Sequence, residues 1–313
     1  MLEIKTWSGI ITGAVTPFND DGAIDWESYG KHLDRLAGTG LIGLLVNAMM
    51  SEGGHLSVPE RESTLRFAAG RVGSRLPVIA TIYGCNTGEA AAEAARAEKL
   101  GASALLVFPH AAFGGAPLDP AMPAAYFAAI ARASGLPMIV FRTPETLGPT
   151  FGLEVMKRLC DVPGVAAIKD SAAEADFYRG DGALFMTPDS PLKILIDSDL
   201  AILDFLRMGA HGATSICASL NPRAYVEMFD SRHRDRAVVL QKVLLPLAKA
   251  VYAAPFRDFR ARLKAALVAD GTFATANVRA PLMPLSDEER AAVLDASRST
   301  RVCLDRLPGL AAG

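Results

Sequence analysis

The stretch Gly9-Ile10-Ile11-Thr12-Gly13-Ala14-Val15-Thr16-Pro17-Phe18, continued by Asn19-Asp20-Asp21-Gly22, decides between two folds. It is a short apolar run opened by Gly and closed at a Pro, the pattern of a strand buried on both faces. Seven further runs follow, at 41–48, 77–83, 102–109, 137–141, 165–168, 192–197 and 212–217. Several are continuous rather than alternating, as parallel strands covered on both faces require. Helical spacing fills most of the intervals, at 26–39, 58–70, 87–100, 123–133, 153–160 and 199–208. In the first of these, Tyr29, Leu33 and Leu36 share one face. Pro59 and Glu60 sit in the first turn of the second, and Thr87 is a candidate N-cap for the third.

Strands alternating with helices leave two architectures. A doubly wound open sheet usually carries a Gly-rich dinucleotide loop after its first strand. The opening stretch has no GxGxxG there, and no P-loop occurs in the chain. Eight strand–helix units in succession match an α/β chain folded as a (β/α)8 TIM barrel. Past residue 217 the strand signal stops, and 222–230, 237–253, 256–268 and 287–297 read as helices. The expected division is a catalytic barrel over 1–222 and a C-terminal helical domain over 223–313.

Composition narrows the function. The chain is 50% hydrophobic, so it is not a disordered one, and its net charge of −2 gives no electrostatic case for a nucleic-acid partner. Aromatic residues make up 7%, which leaves Ala, Leu, Val and Ile to build helices and buried strands. Residues 1–7 carry Glu3 and Lys5 and lack the apolar core of a signal peptide, and the apolar runs are too interrupted to span a membrane. A soluble, cytoplasmic protein with no membrane partner is expected. Cys85, Cys160, Cys217 and Cys303 make no CxxC pair and are expected to be small buried hydrophobes in a reducing compartment. His32, His55, His110, His211 and His233 have no paired ligand spacing, so no metal is expected.

In a barrel of this kind chemistry sits at the C-terminal ends of the strands. The residues there are Thr16, Met49-Met50-Ser51-Glu52, Tyr83, His110, Phe141, Lys169, Asp197 with Asp199, and Ser215. Lys169 closes Val165-Ala166-Ala167-Ile168-Lys169-Asp170. A lysine at the end of an apolar strand is partly desolvated, which lowers its pKa and frees the amine to attack a carbonyl as a Schiff-base nucleophile. The alternative from local sequence is a strand-end lysine that snorkels to solvent or pairs with Asp170.

Several motifs carry a resemblance. Gly13-Ala14-Val15-Thr16-Pro17-Phe18 with Asp20-Asp21-Gly22 and Ile24-Asp25, then Ala166-Ala167-Ile168-Lys169-Asp170-Ser171, then Asp204-Phe205-Leu206 with Gly209-Ala210-His211-Gly212-Ala213-Thr214-Ser215, and last Pro281-Leu282-Met283-Pro284, follow one another along the chain. Together they resemble the dihydrodipicolinate synthase / N-acetylneuraminate lyase family. The resemblance implies a (β/α)8 barrel with a helical C-terminal domain, assembled as a homotetramer or homodimer. It implies a lyase or synthase acting on pyruvate or another small-molecule 2-oxo acid, with Lys169 forming the imine and no cofactor required.

The departures fall at the site. The family's Gly-Thr-Thr-Gly-Glu loop, whose hydroxyls and N–H groups hold the substrate carboxylate, reads Ala48-Met49-Met50-Ser51-Glu52 here. By resemblance, the N–H groups of Met50 and Ser51 and the Ser51 hydroxyl take over that task, with Phe141, Thr214 and Ser215 completing the substrate pocket. The relay of one threonine and two tyrosines falls on Met49, Phe141 and Ala111, and the synthases' second-substrate arginine on Thr146. Tyr83 and His110 are the candidate catalytic replacements, since a histidine suits acid–base work near neutral pH. Their alternatives are packing for Tyr83 and a structural hydrogen bond for His110. Arg142, next to Phe141, is expected to point away from the barrel axis, because neighbours on a strand alternate. Glu52 and Asp170 are expected to be structural. The methionines make one side of the pocket apolar, which suits a substrate with an apolar portion. Two functions remain: a Schiff-base lyase with altered substrate choice, or a catalytically weak paralogue that binds a carbonyl metabolite without efficient turnover.

Overall fold

The computed structural model describes residues 3–4, 6–115 and 117–309. The eight apolar runs become eight strands: β1 (Gly9–Gly13), β2 (Gly43–Val46), β3 (Val78–Ile82), β4 (Ala104–Val107), β5 (Met138–Arg142), β6 (Val165–Asp170), β7 (Lys193–Ile196) and β8 (Gly212–Thr214). They pair in sequence order, all parallel, and β8 pairs with β1 to close the barrel. The strands are shorter than the runs because several runs leave the ladder near their ends. After β2, for example, Asn47 turns to φ 61° and the chain enters a 3₁₀ turn at Met49–Ser51.

Seven helices cover the barrel between strands: α1 (Trp26–Leu36), α2 (Val58–Val72), α3 (Thr87–Lys99), α4 (Ala121–Ala133), α5 (Leu153–Leu159), α6 (Ala175–Arg179) and α7 (Ile202–Met208). Their starts are chemically marked. Ser57 and Glu60 cap α2 reciprocally, each bonding the other's backbone N–H. The N-cap of α3 is Asn86 and not Thr87, with the Asn86 side chain accepting from Glu89 N. Helix α6 has no counterpart in the sequence reading, because five residues are too few for a periodic signal.

The helical extension begins one element later than expected. Helix α8 (Pro222–Asp230) packs against β1 and so completes the outer ring of the barrel. A division at 222/223 would cut its first turn; the change of architecture falls after Asp230. The extension proper is α9 (Asp235–Val251), α10 (Phe259–Ala269) and α11 (Asp287–Asp305), with α9 and α10 both packed on α11 or each other. Charged contacts dock it on the barrel. Lys264 of α10 is fully buried and bonds Glu52 Oε1 at 2.5 Å and Asn277 O at 2.7 Å, while Glu52 Oε2 accepts from Arg279 N at 2.9 Å. Burial lowers the Lys264 pKa to about 8 against the pull of Glu52. Glu52 is thus held by residues of the extension and not by the cavity. Among the described residues no single helix is long and apolar enough to cross a membrane. All four cysteines are free, but Cys85 and Cys303 are exposed and Cys160 half-buried, so only Cys217 is the buried hydrophobe expected of all four.

One buried group makes stability sensitive to acid. His32 of α1 is fully buried edge-on to Phe273, and neither ring nitrogen has a hydrogen-bond partner among the described residues. Burial, with Arg35 nearby, holds its pKa well below the usual 6.5. Below pH 6.5 the unfolded chain therefore binds a proton that the folded one does not. Folding stability is expected to fall by about 1.4 kcal/mol per pH unit from this site as pH drops below 6.5. Urea unfolding of the protein and of His32→Leu at pH 7 and pH 5 checks it; an equally steep loss in both would assign the acid sensitivity elsewhere.

Candidate active site

A cavity of about 160 Å³ opens at the C-terminal ends of the strands. Its floor holds Thr12 and Gly13 of β1, Lys169 of β6, Thr214 of β8, and Asp197, which follows β7. Met49, Met50, Leu106, Phe108, Phe141 and Leu147 make an apolar wall, and Tyr252, Phe256 and Phe259 of the helical extension close the other side. A Cβ on Gly13 would lie 2.5 Å from the Met50 sulfur, so a larger residue there would have to displace the flexible Met50 side chain.

Strand register puts Lys169 where it is. Between β5 and β6 the pairing passes from Met138↔Val165 to Ile139↔Ala167, an extra residue on β6. That shift sets Phe141 opposite Lys169 and Arg142 opposite Asp170. With period-two alternation, Phe141 and Lys169 share the inner face and Arg142 and Asp170 the outer one. The consequences are direct. Lys169 Nζ lies 3.9 Å from the centroid of the Phe141 ring. Arg142, on the far side, bonds Asp170 at 3.0 Å and Glu174 at 2.5 Å, and the Tyr178 hydroxyl donates to Asp170. Arg142 thus points away from the cavity as expected, and Asp170 is its partner on that outer side.

Lys169 is 8% exposed. Its Nζ donates to Asp197 Oδ2 and, at 3.4 Å, to Ser171 Oγ. Burial lowers its pKa from the ordinary lysine value, against the opposing pull of Asp197. The pairing is with Asp197 and not with the sequence neighbour Asp170. Asp197 also accepts from Ser171 Oγ and from Thr214 Oγ1, the latter at 2.9 Å. Asp199 lies behind the floor and accepts from Ser215 Oγ, Ile216 N, Cys217 N and the Tyr252 hydroxyl; burial raises its pKa.

Of the residues singled out from sequence, Met49, Met50, Phe141, Lys169, Asp197, Thr214 and Ser215 come together around the cavity. Ser51 does not line it: its hydroxyl donates to Ala14 O at 2.5 Å and its N–H to Ala48 O at 3.0 Å, so neither is free for a carboxylate. Thr16 is buried outside the lining. Tyr83 and His110 are outside it as well. The Tyr83 ring stacks on Phe108 with its hydroxyl donated to Asn47 O at 2.8 Å, and burial pushes its pKa up. Both His110 nitrogens are engaged, Nδ1 accepting from Ala112 N and Nε2 paired with Cys85 O. Both residues lie beyond the last ladder residues Ile82 and Val107, where alternation no longer dictates direction. Geometry therefore assigns them the packing and hydrogen-bonding roles. Tyr83→Phe and His110→Ala are expected to change turnover by less than about threefold, since neither touches the cavity; loss of the tenfold or more typical of an acid–base group would contradict this.

In the sequence Asp197 is marked only as a strand-end residue, and no local pattern assigns it a role. The contributions of Tyr252, Phe256 and Phe259 have no local signal, because they depend on how the extension docks.

Comparison with known proteins places the chain in a family. The sequence model of the Dihydrodipicolinate synthetase family matches residues 6–299. A 4-hydroxy-tetrahydrodipicolinate synthase of Marinobacter nauticus is 30% identical over 304 residues, covering 94% of this chain and 99% of the relative. An uncharacterized DapA-like lyase of Halobacterium salinarum is 27% identical over 288 residues, 91% of each chain. Among solved structures, the Ruminococcus gnavus sialic acid aldolase superposes with a TM-score of 0.82 at 21% identity, covering 95% of this chain and 98% of that one. A matched (β/α)8 barrel and a family match over nearly the whole length lead to one conclusion: the chain belongs to the dihydrodipicolinate synthetase family and is a lyase of that family.

Proposed function

We propose that the protein is a Schiff-base lyase or synthase in which Lys169 condenses with a 2-oxo acid that carries an apolar substituent. The observation that carries this reading is Lys169 itself: a buried amine with lowered pKa on the cavity floor, at the strand end where a barrel does its chemistry. The iminium it forms is the electron sink, so no cofactor is needed. The apolar wall of Met49, Met50, Leu106, Phe108, Phe141 and Leu147 supports an apolar tail on the substrate. Lys169 is the one cation among the described lining residues, which favours a monocarboxylate over a dicarboxylate.

The resemblance would put a relay tyrosine at Phe141 and the synthases' second-substrate arginine at Thr146. With neither present, this reading assigns a reaction other than dihydrodipicolinate synthesis. The missing phenol also favours a second reading, a paralogue that binds a carbonyl metabolite with little turnover. Assembly as a homodimer or homotetramer belongs to the same proposal. Incubation with pyruvate and with phenylpyruvate, followed by borohydride, tests it: covalent labelling that is faster with phenylpyruvate supports the reading, labelling without turnover supports the paralogue, and no labelling overturns both as stated.

A further inference from the structure

An imine cycle needs a group that gives and takes protons beside the amine, and the apolar wall of Met49, Met50, Leu106, Phe108, Phe141 and Leu147 supplies none. Among the described lining residues Asp197 is the single carboxyl. Its side chain is 11% exposed and that of Lys169 10%, so the two meet in a site largely shielded from water. The hydroxyls of Thr12, Ser171, Thr214, Ser215 and Tyr252 are committed. Ser171 and Thr214 donate to Asp197 itself, Thr12 Oγ1 donates to Ser215 O at 2.7 Å, and Ser215 and Tyr252 donate to Asp199. Asp170 is on the other face of β6, held by Arg142 and Tyr178.

We propose that Asp197 is the catalytic acid and base of the Lys169 cycle, a role that rests on the imine reading above. Transfer of one proton across the existing contact turns the ammonium and carboxylate into a neutral amine and a carboxylic acid. The amine lone pair then bonds to the carbonyl carbon, the C=O pair moves to oxygen, and the nitrogen proton follows it, giving a neutral carbinolamine. Asp197 gives its proton to that hydroxyl; the C–O bond breaks, water leaves, and the nitrogen lone pair closes the iminium. The Asp197 carboxylate next takes a proton from the carbon alpha to the iminium. The C–H pair becomes the enamine double bond, and the iminium pair returns to nitrogen. Nothing is oxidised or reduced, and the steps reverse to release the carbonyl compound. Ser171 and Thr214 are positioning residues: they fix both carboxylate oxygens so that Oδ2 stays on the lysine side.

Two readouts on the full-length protein test this with pyruvate as the probe: borohydride trapping at Lys169, and exchange of the pyruvate methyl protons in heavy water followed by NMR. The wild type is expected to do both. Asp197→Asn is expected to trap more slowly yet to the same final extent, while its exchange rate falls by about 10²–10⁴-fold. A purely structural role would lower both readouts together. Asp197→Glu, which keeps a carboxyl, is expected to recover at least part of the exchange and covers the case in which the Asn variant fails to fold. Exchange in Asp197→Asn within about threefold of wild type would overturn the assignment, and so would a wild type that traps pyruvate without exchanging its methyl protons. A wild type that does not trap at all would instead remove the imine reading underneath it.

Discussion

Lys169→Ala is expected to abolish covalent trapping of any 2-oxo acid and to lower proton exchange or turnover by on the order of 10⁴–10⁶-fold, the scale seen when a covalent nucleophile is removed. No second amine lines the cavity among the described residues, so nothing can substitute. The barrel should survive the change. Asp197 would lose its ammonium but keep the Ser171 and Thr214 hydroxyls and some solvent access. Thermal unfolding of the variant alongside the exchange assay separates lost chemistry from lost structure. A folded Lys169→Ala that keeps more than about a tenth of wild-type exchange would contradict the nucleophile assignment.

The largest expected effect on stability lies where the extension meets the barrel. Lys264→Ala leaves the Glu52 carboxylate, fully buried, with the Arg279 N–H as its remaining partner. Breaking a buried ion pair on one side costs about 3–5 kcal/mol, because the stranded charge loses its compensation without regaining water. Removing both charges is different. Lys264→Met combined with Glu52→Gln is expected to recover most of the loss, since an uncharged pair of similar volume is often nearly neutral. Urea unfolding of the single and double variants measures the difference. A single-variant loss below about 1 kcal/mol would mean that Glu52 finds solvent when Lys264 is gone.

The barrel was legible because its signal is redundant. Eight apolar runs with Gly, Pro and turn residues between them leave little choice once the first strand lacks a dinucleotide loop. Lys169 was legible for a local reason, as a lone amine closing an apolar strand. What could not be read depends on register and docking. The contact between Lys169 and Asp197 follows from Lys169 pairing with Leu195, two residues before Asp197, and no sequence pattern states that register. The extra residue on β6 that brings Phe141 opposite Lys169 is equally silent. Tyr83 and His110 stand at the ends of apolar runs in the sequence, but both lie beyond the last ladder residues Ile82 and Val107, so a place at the end of a run does not bring the side chain to the cavity. Ser51 had a free hydroxyl on paper, but the 3₁₀ turn after β2 spends it on Ala14.

The same contrast orders the site. Residues on strands, such as Phe141, Lys169 and Thr214, fell where alternation put them, whereas residues on loops took their direction from hydrogen bonds. Asp197 belongs to the second group, and its three donors come from Lys169, Ser171 and Thr214.

The central claim is that Lys169 is the amine that joins the substrate. Borohydride reduction in the presence of pyruvate or phenylpyruvate, followed by digestion and peptide mass analysis, tests it most directly. The expected result is a reduced adduct on the peptide containing Lys169, absent when borohydride or the 2-oxo acid is left out. An unmodified Lys169 peptide with every 2-oxo acid offered, or an adduct spread over exposed lysines and missing from Lys169, would contradict it.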